Sequence, residues 1–148
     1  VIEHAGKFFA IVEAGNLPVE LDDELETLAR SDFAGTLRGG FSAHPKRHPD
    51  TGELHAAVYS PFAPQIQHVV VGTDGHVRRT VDVPVPGRPL VHDCAITESY
   101  FILLDLPVVL NEAAIQEGAG LPYRWDPDYG ARVGLLPLDG TAQDVVWG

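Results

Sequence analysis

The sequence predicts an all-β fold, and three observations support this class. The 148 residues include 15 glycines and 12 prolines, so residues that form turns are frequent. Between the turns lie short apolar runs without a long helical period. These runs recur about every ten residues, mostly in pairs that can become antiparallel neighbours. Sandwiches, barrels and propeller blades all produce this pattern, so the architecture stays open among them.

The first half of the chain contains two strand candidates. Residues 7–13 are predicted to form a buried strand, followed by a turn at residues 14–16. Residues 22–28 are acidic, and we expect a short helical turn there, capped by one of its aspartates. A turn at residues 49–52 leads into a strand at residues 53–60.

The second half contains two predicted hairpins. Residues 65–71 and 76–83 flank Thr73-Asp74-Gly75, which is the strongest turn signal in the chain. Residues 90–96 and 100–106 form another pair of strands. Residues 111–129 show no clear hydrophobic period and are predicted to form a loop or short helix. Residues 132–138 form the last predicted strand.

Composition limits the classes of function. Hydrophobic residues make up 45% and charged residues 21% of the chain, which is typical of a globular domain. The formal net charge of −11 argues against a nucleic-acid partner and against electrostatic binding to anionic lipid. No apolar run reaches the length of a membrane-spanning helix, and no signal peptide opens the chain. A single cysteine, Cys94, forbids an internal disulfide, so we expect a reducing, cytoplasmic location.

The sequence contains no methionine, so we expect Val1 not to be a natural start. We therefore interpret residues 1–148 as a partial domain, truncated at both ends. Such a piece should expose apolar residues that the missing part would cover, and should be marginally stable or self-associate in isolation.

Two histidine segments, residues 41–46 and 90–97, carry the clearest chemical signal. Each places a histidine, His44 or His92, inside a short apolar stretch that ends or begins a strand. An imidazole in such a place needs a partner, and a metal ion is one candidate. Because the segments lie far apart in the sequence, a shared ion would require a scattered site built by a large fold.

Several short sequence motifs, including those around these histidines, resemble motifs of one known family, the carotenoid cleavage oxygenases. This family includes apocarotenoid- and stilbene-cleaving dioxygenases and a retinoid isomerase branch. These motifs occur in the same order and with the same spacing as in the family, over nearly the whole chain. They are His4-Ala5-Gly6-Lys7, Glu13-Ala14-Gly15, Leu25-Glu26-Thr27, Asp32-Phe33-Ala34-Gly35, Ala43-His44-Pro45-Lys46, Asp50-Thr51-Gly52-Glu53-Leu54, Tyr59-Ser60-Pro61, Val91-His92-Asp93, Ile96-Thr97-Glu98-Ser99-Tyr100 and Asp105-Leu106-Pro107.

The resemblance implies a seven-bladed β-propeller, of which this chain would form roughly two to three blades. It also implies one non-haem Fe(II) on the propeller axis, held by four histidines. His44 matches the first of these ligands and His92 the second. Glu13 matches a glutamate that supports a ligand, with its carboxylate accepting the N–H of His92 and fixing the tautomer. The third and fourth histidines lie outside this chain, so the fragment alone is expected to be inactive.

The function implied is oxidative cleavage of a conjugated C=C bond of a carotenoid or apocarotenoid by O2, giving aldehyde or ketone products. The partners would be a lipophilic polyene and O2, and the full protein would contact a membrane only peripherally. One alternative is a stilbene-cleaving dioxygenase. In that branch a lysine that contacts the phenol oxygen precedes the glutamate, whereas this chain has Val12. The other alternative is a propeller-derived binding module without activity.

The remaining polar residues have plainer interpretations. Asp93 is expected to hydrogen-bond backbone at a turn rather than bind metal, since adjacent strand residues face opposite sides. His44 and His48 have helical spacing, but Pro45 and Pro49 argue against a helical zinc pair. Cys94 is expected to be an inert core thiol. Surface positions are expected for three histidines: His4, His68 and His76.

Overall fold

A computed structural model describes residues 1–13 and 15–148; Ala14, the first residue of the turn predicted at residues 14–16, lies outside them. The described residues form three four-stranded antiparallel sheets, one two-stranded sheet and two short helical segments. The predicted all-β class is confirmed. The first sheet contains β1 (Ile2–His4), β2 (Lys7–Ala10), β3 (Val19–Leu21) and β4 (Thr27–Arg30), in that order.

The predicted helical turn at residues 22–28 is wrong. The Asp22 carboxylate accepts the backbone N–H groups of Glu24 and Glu26, as a helix cap would, but Leu25 turns back with φ of 65°. The backbone N–H of Asp22 then donates to the carbonyl of Glu26, which closes the β3–β4 hairpin. Strand β4 is exposed along its length, so no hydrophobic pattern revealed it.

The second sheet contains the strands that were predicted best. It is formed in order by β5 (Lys46–Arg47), β6 (Leu54–Ser60), β7 (Ala63–Val71) and β8 (Val77–Pro84). The hairpin at Thr73-Asp74-Gly75 is confirmed, and Gly75 has the positive φ of 80° that its turn requires.

The third sheet is interrupted by an insertion. It begins with β9 (Ala95–Ile96) and β10 (Tyr100–Asp105). The insertion carries β11 (Val108–Leu110), α1 (Glu112–Gln116) and β12 (Tyr123–Trp125). After the insertion, β13 (Arg132–Pro137), a 3₁₀ turn (Ala142–Asp144) and β14 (Val146–Trp147) complete the sheet. The strand predicted at residues 90–96 is therefore regular only over its last two residues. None of the described helices is long and apolar enough to cross a membrane.

The three sheets stack face to face, and the two central strands of the middle sheet, β6 and β7, are largely buried on both sides. Along β6 the residues alternate between two cores: Ala57 and Tyr59 pack toward the third sheet, whereas Ala56 and Val58 pack toward the first. Among the described residues none covers the outer face of the third sheet in this way, and Val133, Leu135 and Val146 are exposed there. In the second and third sheets the first strand is an edge strand of two residues, and a predicted metal-binding histidine precedes each of them.

Candidate metal centre

The segment before β5 holds His44 at the edge of the second sheet. Phe41 is fully buried and packs edge-on against Phe33, with ring centroids 5.2 Å apart, which anchors the segment in the core. The buried Ser42 hydroxyl accepts the backbone N–H of His44 at 3.2 Å. The His44 side chain is left half-exposed at the sheet edge, facing the next sheet.

His92 has the equivalent place before β9. Val91 and Cys94 on either side of it are buried in the core between the second and third sheets, so the His92 ring points the other way and is 67% exposed. Asp93 accepts the backbone N–H of Cys94 at 2.7 Å, as predicted, and also pairs with Lys46 at 2.6 Å. Burial opposes ionisation of Asp93, but Lys46 and the Cys94 N–H outweigh it and lower the pKa of Asp93.

Glu13 reaches the same place from the first sheet. Its own carbonyl accepts the side-chain amide of Asn16 at 3.1 Å, and the Asn16 carbonyl accepts the backbone N–H of Phe41 at 3.0 Å. Gly40 passes directly against the backbone of Gly15, where any side chain would overlap it. The segment that carries Glu13 is therefore held against the segment that leads to His44.

The structure brings the three predicted site residues together. Glu13 Oε2 lies 3.2 Å from His92 Nδ1 and 4.0 Å from His44 Nε2. The two imidazole rings have centroids 4.5 Å apart. One ligand atom from each of the three residues lies within 4.8 Å of the other two. In the described part of the chain, this is the only cluster of three or more such groups.

The donor set fits a divalent metal ion. Both carboxylate oxygens of Glu13 are buried, and among the described residues neither has a partner in hydrogen-bond geometry. The 3.2 Å separation from His92 is an ion-pair distance, but the N–H direction is not aligned for a hydrogen bond. A buried carboxylate without a partner is unfavourable, and a cation beside it would supply that partner. Two imidazole ligands with a carboxylate beside them are a donor set that can bind Fe(II), Co(II) or Zn(II).

The other histidines do not join this cluster. The prediction that His4 and His68 lie on the surface is wrong, since both are fully buried; His76 is exposed, as expected. The Nε2–H of His4 donates to the Gly72 carbonyl at 2.8 Å, and its Nδ1 accepts from Arg47 at 3.2 Å. His4 is therefore satisfied by structural contacts.

A second histidine contact is fully buried between the second and third sheets. His55 Nδ1 and His68 Nε2 are 2.9 Å apart, and His68 stacks on Phe101 with centroids 4.1 Å apart. Burial lowers the pKa of His55 to about 4 and that of His68 to about 3, so both are neutral at pH 7. The sequence held a signal for this: His68 lies two residues from Ile66, on the same face of its strand.

Two further groups, the Cys94 thiol and the Tyr59 hydroxyl, belong to residues close to the site. Cys94 is buried, and burial raises the pKa of its thiol to about 11, so the predicted inert core thiol is confirmed. Tyr59 was not singled out from the sequence. It borders a 420 Å³ cavity beside Gly15 and Gly40. Burial, together with the charge of Glu13, raises the pKa of Tyr59 to about 12 and keeps its hydroxyl protonated.

Comparison with known proteins identifies the family to which this chain belongs. The family model for retinal pigment epithelial membrane protein matches residues 1–148. The chain is 41% identical to a carotenoid cleavage oxygenase of Mycobacterium tuberculosis, in an alignment covering 99% of the chain and 37% of that protein. It is 34% identical to the solved lignostilbene dioxygenase of Pseudomonas brassicacearum, with a TM-score of 0.88, covering 99% of the chain and 31% of that structure. It is 26% identical to cobalt-substituted apocarotenoid oxygenase of Synechocystis, with a TM-score of 0.78 and coverage of 99% and 33%.

The chain thus spans about a third of the length of these relatives. The structural relatives are β-propellers, which confirms the prediction that the stacked sheets are part of a propeller. A member of the group has been solved with a metal in place, as cobalt. Because the family model matches the whole chain, residues 1–148, this chain belongs to the carotenoid cleavage oxygenase family.

Proposed function

We propose that this chain is part of a non-haem Fe(II) dioxygenase that cleaves a conjugated C=C bond of a carotenoid or apocarotenoid with O2. The observation that carries the proposal is that Glu13, His44 and His92, from segments next to three different sheets, converge on one point. At this point the carboxylate oxygens of Glu13 are buried and have no hydrogen-bond partner among the described residues. Relatives named carotenoid cleavage oxygenase and apocarotenoid oxygenase support the substrate class.

Each of the three residues has a distinct role in this proposal. His44 and His92 each offer an unprotonated ring nitrogen to the metal, which requires neutral imidazoles. Glu13 Oε2 lies 3.2 Å from Nδ1 of His92, so a rotation of the ring that aligns its N–H would let the carboxylate accept it and leave Nε2 of His92 as the ligand atom. No side chain has to act as a general acid or base, because cleavage places one oxygen atom of O2 on each alkene carbon. When bound, Fe(II) would activate O2 beside the double bond.

The chain supplies only part of the ligand set that the family resemblance implies. We therefore assign the activity to the full-length protein, in which further histidines would complete the metal site. The free, buried Cys94 fits a reducing compartment, and we propose a cytoplasmic location on that ground.

The test is the substitution His92→Ala in the full-length protein. We expect iron content to fall below one tenth of the wild-type value and O2-dependent polyene cleavage to be lost. The substitution removes one metal ligand, the His92 ring, which is also the ring that Glu13 would orient. Iron is measured by atomic spectroscopy and cleavage by the loss of polyene absorbance. His76→Ala removes an exposed histidine and is the matched control. Full iron content in the His92→Ala protein would contradict the assignment.

A stilbene substrate is the second candidate, because a lignostilbene dioxygenase is a close structural relative. Val12 speaks against it, since an apolar side chain cannot polarise a phenol. Assays of the full-length protein with a carotenoid, an apocarotenal and a hydroxystilbene separate the two. Cleavage of the stilbene alone would replace the carotenoid assignment, and iron-free protein without activity would favour a binding module.

A further inference from the structure

An ion pair connects the two histidine segments directly. Lys46 opens β5, two residues after His44, and Asp93 immediately follows His92. The Lys46 ammonium lies 2.6 Å from Asp93 Oδ1, so the pair joins the second sheet to the third beside the candidate metal centre. The proposed function assigns neither residue a part in the site.

Asp93 is held in place from its own side. Its Oδ1 also accepts the backbone N–H of Cys94 at 2.7 Å. Cys94 is buried in the core between the sheets, and its thiol lies 3.7 Å from the carbonyl of His44. Asp93 therefore offers Lys46 a carboxylate whose position is fixed by the core, rather than one on a freely moving side chain.

The regular strand pairing next to the two histidines is short. Strand β5 is paired with β6 at only two residues, and β9 is paired with β10 at only two. His44 and His92 both precede these short strands, outside the regular ladder of hydrogen bonds. A half-exposed ion pair adds little to folding stability. Its consequence here is therefore the position of the histidines and not the stability of the fold.

We propose that Lys46 and Asp93 are positioning residues, whose ion pair sets the separation of the His44 and His92 rings and so the geometry of the metal centre. The inference rests on the proposed function for its metal part. Its geometric part stands without a metal, because ring separation can be measured in the metal-free chain.

The test uses Lys46→Met and Asp93→Asn, which each remove the ion pair; the asparagine keeps an acceptor for the Cys94 N–H. The first measurement is the nuclear Overhauser effect between the ring protons of His44 and His92 in the metal-free 148-residue chain. The second is the Co(II) dissociation constant of the full-length protein that carries the same substitutions, followed by the d–d absorption of the ion. The control is Lys7→Met, which removes another lysine ion pair, with Glu20 at 2.9 Å, from the first sheet.

We expect both variants to lose the ring-to-ring signal and to bind Co(II) about tenfold more weakly, with no change in Lys7→Met. The direction of the two effects separates position from charge. A purely electrostatic role would make Lys46→Met bind Co(II) more tightly and Asp93→Asn more weakly, and that result would overturn the proposal. An unchanged ring-to-ring signal in both variants would also overturn it. Wild-type full-length protein that binds no Co(II) would contradict the metal centre, while loss of the ring-to-ring signal in the variant chains would still support the ion pair's positioning role.

Discussion

Glu13 shows how a single residue can be unfavourable for folding and useful for binding. Its carboxylate oxygens are buried, whereas the side chain as a whole is 30% exposed. Desolvating a carboxylate without a hydrogen-bonded partner costs several kcal/mol. The nearest groups are the imidazole rings of His44 and His92. A cation at this point removes the cost, so binding energy is gained from an unfavourable contact already present in the fold.

The buried contact between His55 and His68 predicts acid sensitivity. Burial lowers both pKa values below the unfolded value of 6.5, to about 4 and about 3. The unfolded chain therefore binds more protons than the folded chain once the pH falls below 6.5. Stability is fully present above that pH and is lost as the pH falls toward the folded values. Between pH 7 and pH 5 we expect the free energy of unfolding to fall by about 2 kcal/mol or more. Urea unfolding at the two pH values measures it.

The double variant His55→Leu, His68→Leu is the matching control for this pH dependence. Replacing both partners by apolar groups removes the titration and leaves no donor or acceptor unpaired. Its free energy of unfolding should change little between pH 7 and pH 5. A pH dependence as large as that of the wild-type chain would show that other groups cause the loss.

At the scale of elements, the contact between Gly40 and Gly15 links two segments of the metal site. We expect Gly40→Ala to displace the segment of Glu13, because the added methyl group would overlap the Gly15 backbone rather than a flexible side chain. The free energy of unfolding of the chain should fall by about 1–3 kcal/mol, as for other overpacked sites. Co(II) binding by the full-length protein with the same substitution should weaken. Urea unfolding and Co(II) titration measure the two effects. Gly120→Ala adds a methyl group in open space and is the control; equal losses in both variants would refute this role of Gly40.

Elements with local signals were predictable from the sequence, and those fixed by tertiary contacts were not. The β7–β8 hairpin was found because Thr73-Asp74-Gly75 specifies its own turn. Strand β4 was missed because its residues are all exposed and its partner, β3, alone defines it. The site residues His44, His92 and Glu13 came from the family resemblance. Their mutual distances depend on how three sheets stack, which no local pattern encodes, and the link from Lys46 to Asp93 was visible only in the structure.

At the scale of the whole molecule, the stacking explains both the site and the exposed surface. Each pair of neighbouring sheets buries an apolar core, and the site residues lie where the segments before β5 and β9 meet the end of the first sheet. The same stacking leaves the outer face of the third sheet uncovered. In propellers such a face packs against the next blade, so its apolar residues are those of a blade interface exposed to water.

We therefore expect the 148-residue chain to self-associate through the outer face of the third sheet. Leu135 and Val133 point outward on β13, and Val146 pairs with Leu135 across the ladder, so these side chains form one continuous apolar surface. Leu135→Lys should shift the chain toward monomer at about 50 µM, because a charge at its centre must be desolvated on association. Light scattering after size-exclusion chromatography measures the mass. Ile115→Lys, an equally drastic change at an exposed residue of α1, should leave association unchanged. A wild-type chain that is monomeric at that concentration would contradict the prediction.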